Sequence, residues 1–266
     1  MLRVQRTSSK GARADEMRRI ALVSRDYNCV DHRGRWDYTE YFGAINRRCD
    51  EERCDTILFS PFTFNSPTVT CDHRELFHRL SNVRRIVVEV GDLSRAWNES
   101  NTGHLTIEVW HRDTSAPLRF QQRFANSGCS RQHKQAFMDE LANRRDGNAL
   151  VMVCGESNIV SLVRARGEVC DSFGFARALQ NLNVSVILNP VHDYMRRYEM
   201  REKRRFVSQG GRTVVSVWNK GKGREPILPW TVFHAGTDKI AAVRDLPTQF
   251  ADRPDIHIGV LDLAAM

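Results

Sequence analysis

Short apolar runs, each bounded by polar or turn-forming residues, recur along the whole chain. Runs of this length are typical of buried β-strands, and apolar positions at helical spacing predict amphipathic helices between several of them. The runs that predict strands are Ile20–Ser24, Thr56–Ser60, Ile86–Val90, Leu105–Trp110, Ala149–Cys154, Val184–Leu188, Thr213–Trp218, Trp230–Phe233 and Ile256–Leu261. The stretches that predict helices are Tyr38–Arg53, Arg74–Leu80, Gln132–Asn143, Phe173–Leu182 and Tyr194–Ser208.

The order of these elements predicts an α/β fold with mixed sheets. The first half of the chain alternates strand and helix, whereas residues 86–124 contain consecutive strands joined by polar turns. Alternation favours parallel strands, and consecutive strands favour antiparallel pairing, so neither a simple doubly wound fold nor a closed barrel is favoured. Because no repeat, low-complexity tract or linker divides the sequence, we expect one domain over residues 16–263 after a flexible lead at residues 1–15.

Composition is that of an ordinary globular protein. A chain of 266 residues with 41% hydrophobic content can bury a large core. No apolar stretch is long enough to span a bilayer, and the N-terminus is basic and polar, so neither membrane insertion nor secretion is expected. The seven cysteines are odd in number and widely spread, which indicates reduced thiols and a cytoplasmic protein. No spacing indicates a metal site or a cofactor.

The net charge of +8 is concentrated in one segment. Residues 192–224 contain ten Arg or Lys and three Asp or Glu, so this segment supplies most of the excess. Such a segment can be a solvated helix and loop. It can also be a surface for an anionic partner such as nucleic acid, or a face for self-association.

Six segments carry motifs in a recognisable order and spacing. They are DTILFSPFTF (55–64), RIVVEVGDL (85–93), HLTIEVWHRDTSAPLRFQQRF (104–124), NALVMVCGESN (148–158), VSVILNPVHDYMRRYEMREKRRFVSQGGRTVVSVWNKG (184–221) and IHIGVLDL (256–263). In this order the chain resembles the nitrilase, or carbon–nitrogen hydrolase, superfamily over residues 16–263. The resemblance implies a four-layer α-β-β-α sandwich with its site at strand ends in the middle.

The resemblance also implies a nucleophilic cysteine. Family members use Cys, Glu and Lys to cleave non-peptide carbon–nitrogen bonds through a thioester. This chemistry needs a thiolate, a base, and a cation or N–H pair that stabilises the oxyanion. Cys154 follows the apolar run Ala149–Val153 and precedes Gly155, a strand and turn that would present its thiol to a cleft.

The other two catalytic positions of the family are altered. After Pro61 the chain has Phe62, where the family has the catalytic Glu. After the aromatic Phe120 it has Gln122 and Arg123 in the region where the family has Lys. Phe62 and Gln122 are therefore candidates for lining the pocket, and the chemistry needs substitutes for both lost groups.

Other residues offer those substitutes. Glu156 is the carboxylate closest to the cysteine in sequence and is a candidate base. Arg123 can stabilise an anion but cannot shuttle protons, because its guanidinium stays charged. Asn189 and His192 end an apolar strand where the family places pocket residues, and His192 can act as an acid or base near neutrality.

Two functions from different classes fit these observations. We favour a domain that is degenerate at the Glu-Lys-Cys site and acts as a binding or assembly module. It would be a homo-oligomer through its helices, with nucleic acid or another anionic partner at residues 192–224. The alternative is an amidase-like carbon–nitrogen hydrolase of unknown substrate. In it Cys154 is the nucleophile, Glu156 is the base, and Arg123 and backbone N–H groups hold the oxyanion.

Overall fold

The computed structural model describes residues 17–26, 37–66, 70–91, 105–125, 128–192, 197–219, 228–247, 250 and 253–266. The predicted lead at residues 1–15 lies outside them. The helices are α1 (Phe42–Glu51), α2 (Thr70–His78), α3 (Arg131–Asp139), α4 (Phe175–Asn181) and α5 (Tyr198–Val207). The strands are β1 (Arg19–Ser24), β2 (Thr56–Phe59), β3 (Arg85–Gly91), β4 (Leu105–His111), β5 (Leu118–Gln121), β6 (Arg145–Asp146), β7 (Ala149–Val151), β8 (Ser161–Val163), β9 (Glu168–Cys170), β10 (Val186–Val191), β11 (Thr213–Trp218), β12 (Trp230–His234), β13 (Thr237–Asp238), β14 (Val243–Leu246) and β15 (His257–Asp262).

Two mixed sheets contain most of these strands. Among the described residues, the first sheet has the order β14-β15-β1-β2-β3-β4-β5, and the second has the order β13-β12-β11-β10-β7-β6. Strands β1, β2 and β3 run parallel to one another, as do β7, β10 and β11. The other pairs are antiparallel. Strands β8 and β9 form a separate hairpin. The mixed sheets predicted from the order of elements are confirmed.

Three buried apolar clusters define four layers. One cluster lies between the sheets and joins Leu58 of the first sheet to Leu188 and Val215 of the second. Another packs α1 and α2 against the outer face of the first sheet. The third packs α3, α4 and α5 against the outer face of the second sheet, where Ile187 points away from its neighbour Leu188. Parallel strands that are covered on both faces have almost continuously apolar sequences, so they can be predicted from the sequence. The fold is the expected α-β-β-α sandwich.

Helix α1 illustrates how the outer layers form. Phe42, Ile45 and Cys49 recur at helical spacing and are buried, whereas the basic side chain of Arg47 lies on the other face. The helix ends before Arg53, whose φ of +57° turns the chain back toward β2. The helix predicted over Tyr38–Arg53 begins several residues too early, because α1 begins only at Phe42.

The carboxyl ends of the parallel strands from both sheets meet along one edge. Ser24 Oγ donates to the Trp218 carbonyl oxygen at 2.5 Å, which joins the ends of β1 and β11. Ser60, just after β2, hydrogen-bonds to Asn219, and Asn219 Nδ2 donates to the Pro61 carbonyl oxygen at 2.9 Å. These contacts hold the two sheets together at the edge where loops can carry a site.

The cysteines identified as free thiols are Cys49, Cys54, Cys129, Cys154 and Cys170. Cys29 lies outside the described residues. No helix in the described part of the chain is long and apolar enough to cross a membrane.

Candidate active site

Cys154 lies on a tight turn at the edge of the second sheet. The predicted strand stops at Val151, and a 3-10 helix begins at Cys154. The φ of Cys154 is +34°, a left-handed conformation that non-glycine residues rarely adopt and that is concentrated at functional sites. A Cβ on Gly155 would lie 1.8 Å from the Ala125 carbonyl oxygen, so only glycine fits the next position. Packing of another loop therefore fixes this turn.

The thiol of Cys154 is partly exposed. It packs against a small apolar cluster of Val191, Met200 and Trp218, which come from the ends of β10 and β11 and from α5. Met200 also lines a surface cleft of about 410 Å³. The other lining residues are Leu162, Arg164, Arg197, Tyr198 and Glu199. A cleft of this size can take a small molecule, and Met200 belongs both to its lining and to the cluster on which Cys154 packs.

His192 is the polar side chain that the fold brings to this sulfur. It follows the last residue of β10, and its imidazole lies near enough to Cys154 for that residue to raise the pKa of the imidazole. Its Nε2 lies 2.9 Å from Oε2 of Glu89, a residue in the middle of β3. The imidazole is 18% exposed and the carboxylate 1% exposed. A carboxylate and an imidazole are thus hydrogen-bonded across the two sheets, with the thiol nearby.

Glu89 is the site residue that the sequence analysis missed. Its Oε2 also accepts a hydrogen bond from the Phe62 backbone N–H at 2.8 Å, whereas Oε1 has no hydrogen-bond partner among the described residues. The signal in the sequence was an acidic residue in the otherwise apolar run Ile86–Val90. Buried carboxylates are rare unless they are paired, so this residue required a partner.

Phe62 lies beside this pair. Its ring contacts the imidazole of His192 edge-on, with centroids 4.8 Å apart, and its φ is +59°. Phe62 therefore places an aromatic ring beside His192, while Glu89, on the neighbouring strand β3, accepts a hydrogen bond from the backbone of Phe62.

The surroundings of His192 favour its charged form. Burial lowers the pKa of the imidazole, but the negative charge of Glu89 and the nearby Cys154 outweigh burial and raise this pKa well above its ordinary value. At neutral pH the site therefore contains an imidazolium between a carboxylate and a sulfur.

Glu156 is engaged in holding the turn. Its carboxylate accepts hydrogen bonds from the backbone N–H of Val153 at 2.8 Å and of Arg123 at 2.7 Å, and from the guanidinium of Arg144 at 2.7 Å. Burial raises the pKa of Glu156 to about 7, although Arg144 and the two N–H groups favour the ionised form. This carboxylate ties the cysteine turn to two other segments. Its role as a base stays a prediction from sequence.

The side chains of Arg123 and Gln122 are bound to close neighbours. The guanidinium of Arg123 forms an ion pair with Glu140 and is 45% exposed. The amide of Gln122 donates to the Phe124 carbonyl oxygen at 2.9 Å. These contacts involve neither the thiol nor the imidazole. The catalytic role of Arg123 and the binding role of Gln122 remain predictions from sequence.

Asn189 belongs to an internal hydrogen-bond network. Its Nδ2 donates to the Met152 carbonyl oxygen at 2.8 Å, and its Oδ1 accepts from Nη2 of Arg204 at 2.7 Å. The amide is buried, so it supports the ends of β7 and β10. Its binding role also remains a prediction from sequence.

Most of the basic side chains named here, on α5 and the following turn, are buried or paired with acidic side chains. Lys203, Arg204 and Arg212 are buried. Arg201 pairs with Asp238, and Arg205 pairs with Glu202. Residues 193–196 and 220–227 of the same segment lie outside the described residues. Within the described part, five of these basic side chains are therefore buried or paired. The sequence does not predict this, because it does not reveal which helix face is buried.

The comparisons with known proteins agree with the architecture. No protein-family model matches the chain, and no curated protein matches it in sequence. A carbon–nitrogen hydrolase from Helicobacter pylori G27 matches in structure with a TM-score of 0.50 and 10% identity, over 94% of this chain and 91% of that chain. A glutamine-dependent NAD(+) synthetase from Cytophaga hutchinsonii matches with a TM-score of 0.53 and 7% identity, over 94% of this chain and 44% of that chain. The chain therefore has the fold of the carbon–nitrogen hydrolases, which confirms the fold class expected from its sequence.

Proposed function

We propose that this chain is a divergent carbon–nitrogen hydrolase that forms a thioester on Cys154, with His192 as its acid and base and Glu89 as the partner of His192. The observation that carries the proposal is the hydrogen bond between Glu89 and His192, with Cys154 near the imidazole. A cysteine nucleophile, a base within hydrogen-bonding reach and a third group that orients the base are the parts that nucleophilic catalysis requires.

In the first half of the proposed reaction, the sulfur of Cys154 attacks the carbonyl carbon of an amide and a carbon–sulfur bond forms. The carbon–nitrogen bond then breaks, and the imidazolium of His192 gives a proton to the departing amine. Because Nε2 is engaged by Glu89, Nδ1 is the nitrogen that can exchange this proton. The products of this half are a thioester, a free amine and a neutral imidazole.

In the second half, water attacks the thioester carbon. Neutral His192 takes a proton from the water, the carbon–sulfur bond breaks, and a carboxylic acid leaves. The thiolate and the imidazolium are then restored. The buried charge of Glu89 stabilises the imidazolium in each state where it forms.

The competing proposal is that the fold is kept as a binding or assembly module. It is supported by Phe62 in the place of the family's Glu and by Gln122 and Arg123 near the place of its Lys. In that case the chain would self-associate through its helices or bind nucleic acid or another anionic partner through residues 192–224. In a binding or assembly module, the thiol, the imidazole and the carboxylate would have no catalytic role. We prefer the hydrolase because it gives each of these groups a role. The free thiols fit a reducing, cytosolic setting.

The test is to incubate the protein with a panel of small amides and nitriles, and to measure ammonia release together with the intact mass of the protein. The proposal predicts turnover, and a mass increase equal to one acyl group on Cys154 when the reaction is quenched early. Cys154→Ser should abolish both signals, and His192→Asn should lower the rate by about 10²–10⁴-fold, the usual contribution of acid–base catalysis. Absence of turnover and of acyl adducts across the panel would favour the module.

A further inference from the structure

Phe62 has a backbone conformation that bulky residues rarely adopt. Its φ is +59°, in the left-handed region that favours glycine. A strained residue of this kind persists only where the surrounding contacts hold it, and such residues are concentrated at functional sites. The contacts made by Phe62 and by the peptide that precedes it therefore indicate what the conformation serves.

This conformation directs two groups of Phe62 at the pair formed by Glu89 and His192. The backbone N–H of Phe62 donates to Oε2 of Glu89 at 2.8 Å, and the same oxygen lies 2.9 Å from Nε2 of His192. The ring of Phe62 contacts the imidazole edge-on, with the ring centroids 4.8 Å apart. Phe62 therefore restrains both members of the pair at once.

Asn219 holds the other side of the same peptide group. Its Nδ2 donates at 2.9 Å to the carbonyl oxygen of Pro61, the residue before Phe62. Because a peptide group is planar, the direction of the Pro61 carbonyl sets the direction of the Phe62 N–H. The hydrogen bond from Asn219 therefore helps to aim this N–H at Glu89.

Other contacts fix the orientation of the Asn219 side chain. Its Oδ1 accepts a hydrogen bond from Ser60 Oγ, and Ser60 Oγ shares a further hydrogen bond of 2.7 Å with the hydroxyl of Tyr38. These three side chains are buried, so water does not compete for the hydrogen bonds. Since the carbonyl of Pro61 can only accept, the amide nitrogen of Asn219 must face it.

The register of the second sheet places Asn219 beside His192. Strands β10 and β11 are parallel, and their last residues are paired in register. His192 and Asn219 are the next residues of the two strands, so both leave the second sheet at the same level. From there Asn219 reaches the Pro61–Phe62 peptide, and His192 reaches Glu89. The second sheet therefore holds both ends of one series of hydrogen bonds that passes through the first sheet.

We propose that Asn219 is a positioning residue for the candidate site. It fixes the peptide between Pro61 and Phe62, so that the Phe62 N–H holds the Glu89 carboxylate against His192. The inference rests on the proposed function, in which His192 is the acid and base. Asn219 acts through this peptide and not on the substrate.

The experiment follows the protonation of His192 by NMR titration of the histidine ring signals, and the His192 signal is identified by its absence from His192→Asn. The variant is Asn219→Ala, and Asn219→Ser serves if Asn219→Ala does not fold. Urea unfolding reports the stability of each variant, and kcat and KM are measured on an amide that the native chain hydrolyses.

The matched control is Ser24→Ala. The buried Ser24 Oγ donates to the Trp218 carbonyl oxygen at 2.5 Å, next to Asn219 in the chain. This hydrogen bond also joins the two sheets, but it ties β11 to β1 rather than to the Pro61–Phe62 peptide. The control therefore measures what the loss of a contact between the sheets does by itself.

In the native chain Glu89 and Cys154 raise the pKa of His192 against the opposing effect of burial. Asn219→Ala loosens the hold on Glu89, so we expect the pKa of His192 to fall toward its ordinary value. We also expect kcat to fall by about tenfold or more while KM stays within about twofold. Ser24→Ala should lose stability, but it should leave the titration of His192 unchanged and kcat within about twofold of the native value.

The inference is overturned if His192 titrates in a folded Asn219 variant as it does in the native chain. It is also overturned if Ser24→Ala lowers the pKa of His192 as much as Asn219→Ala does. A native chain without turnover would refute the proposed function instead, and the titration of His192 would still decide whether Asn219 holds the pair.

Discussion

Replacing Glu89 with glutamine removes the negative charge beside His192 while the size of the side chain hardly changes. The amide oxygen of the variant can still accept the hydrogen bond from the Phe62 N–H group, which Glu89 accepts at 2.8 Å. The bond to Nε2 of His192, 2.9 Å in the native chain, loses its charged acceptor. The substitution therefore tests the electrostatic part of the contact more than its shape.

The expected cost follows from these two hydrogen bonds. Hydrogen bonds to charged groups contribute about 1.5–3 kcal/mol and neutral ones about 0.5–1.5 kcal/mol, so the variant should lose about 2–3 kcal/mol of unfolding free energy near pH 6. The folded pKa of His192 is raised, so this stabilisation is complete below its unfolded pKa of about 6.5. It is lost as pH rises through the folded pKa, and the difference between native chain and variant should shrink there.

The assay is urea unfolding of both proteins at a series of pH values. The matched control is Glu108→Gln, because Glu108 lies on the neighbouring β4, is buried, and accepts from Trp110 Nε1 at 2.7 Å and Arg119 Nε at 2.8 Å. Since arginine stays charged throughout this range, the cost of the control should be nearly constant between pH 6 and 9. If the cost of Glu89→Gln is equally constant, the account of His192 is refuted.

Three further predictions concern the cysteine turn, and each is tested by urea unfolding. Gly155→Ala should cost about 3 kcal/mol or more, because its Cβ would lie 1.8 Å from the Ala125 carbonyl oxygen; a native midpoint would show that the loop yields easily. Cys154→Gly should be more stable than Cys154→Ala by about 1 kcal/mol, since φ is +34° there; the reverse order would contradict strain at this residue. Arg144→Met should cost about 3–5 kcal/mol by leaving Glu156 buried without its cation, and adding Glu156→Gln should recover part of it; an equal or greater cost in the double variant would count against this pairing.

Local patterns made most of the fold predictable. Buried strands such as Thr213–Trp218 are largely apolar, and each apolar run singled out in the sequence overlaps a strand. The boundaries were less predictable: within the run Ala149–Cys154 the strand covers only Ala149–Val151, because the turn at Cys154 is imposed by contacts with residues distant in sequence. The candidate nucleophile could be found because it follows such a run directly.

The pair that completes the candidate site could not be found from local patterns. Glu89 and His192 are 103 residues apart and belong to different sheets, so their contact depends on how the sheets face each other. The sequence pointed to Glu156 because it lies two residues from Cys154, yet its carboxylate is occupied by Arg144 and two backbone N–H groups. Proximity along the chain was a poor guide to chemistry, whereas an acidic residue in a buried strand was the better signal.

The burial of basic residues was equally hidden in the sequence. Lys203 and Arg204 lie next to each other in a run of charged residues that is typical of a solvated helix face. In the structure both are buried. Lys203 pairs with Glu199 and donates to Asn158, and Arg204 donates to Asn189. The number of charges in a segment does not determine which of them face solvent.

The alkylation rate of Cys154 near pH 7, in the native chain and in His192→Asn, tests the central claim most directly. Cys170, which is exposed, is the internal reference for an ordinary thiol in the same sample. The account predicts that Cys154 reacts about tenfold or more faster than Cys170, and that His192→Asn removes this advantage while Cys170 is unaffected. A Cys154 that reacts no faster than Cys170, or that keeps its rate without His192, would contradict the account.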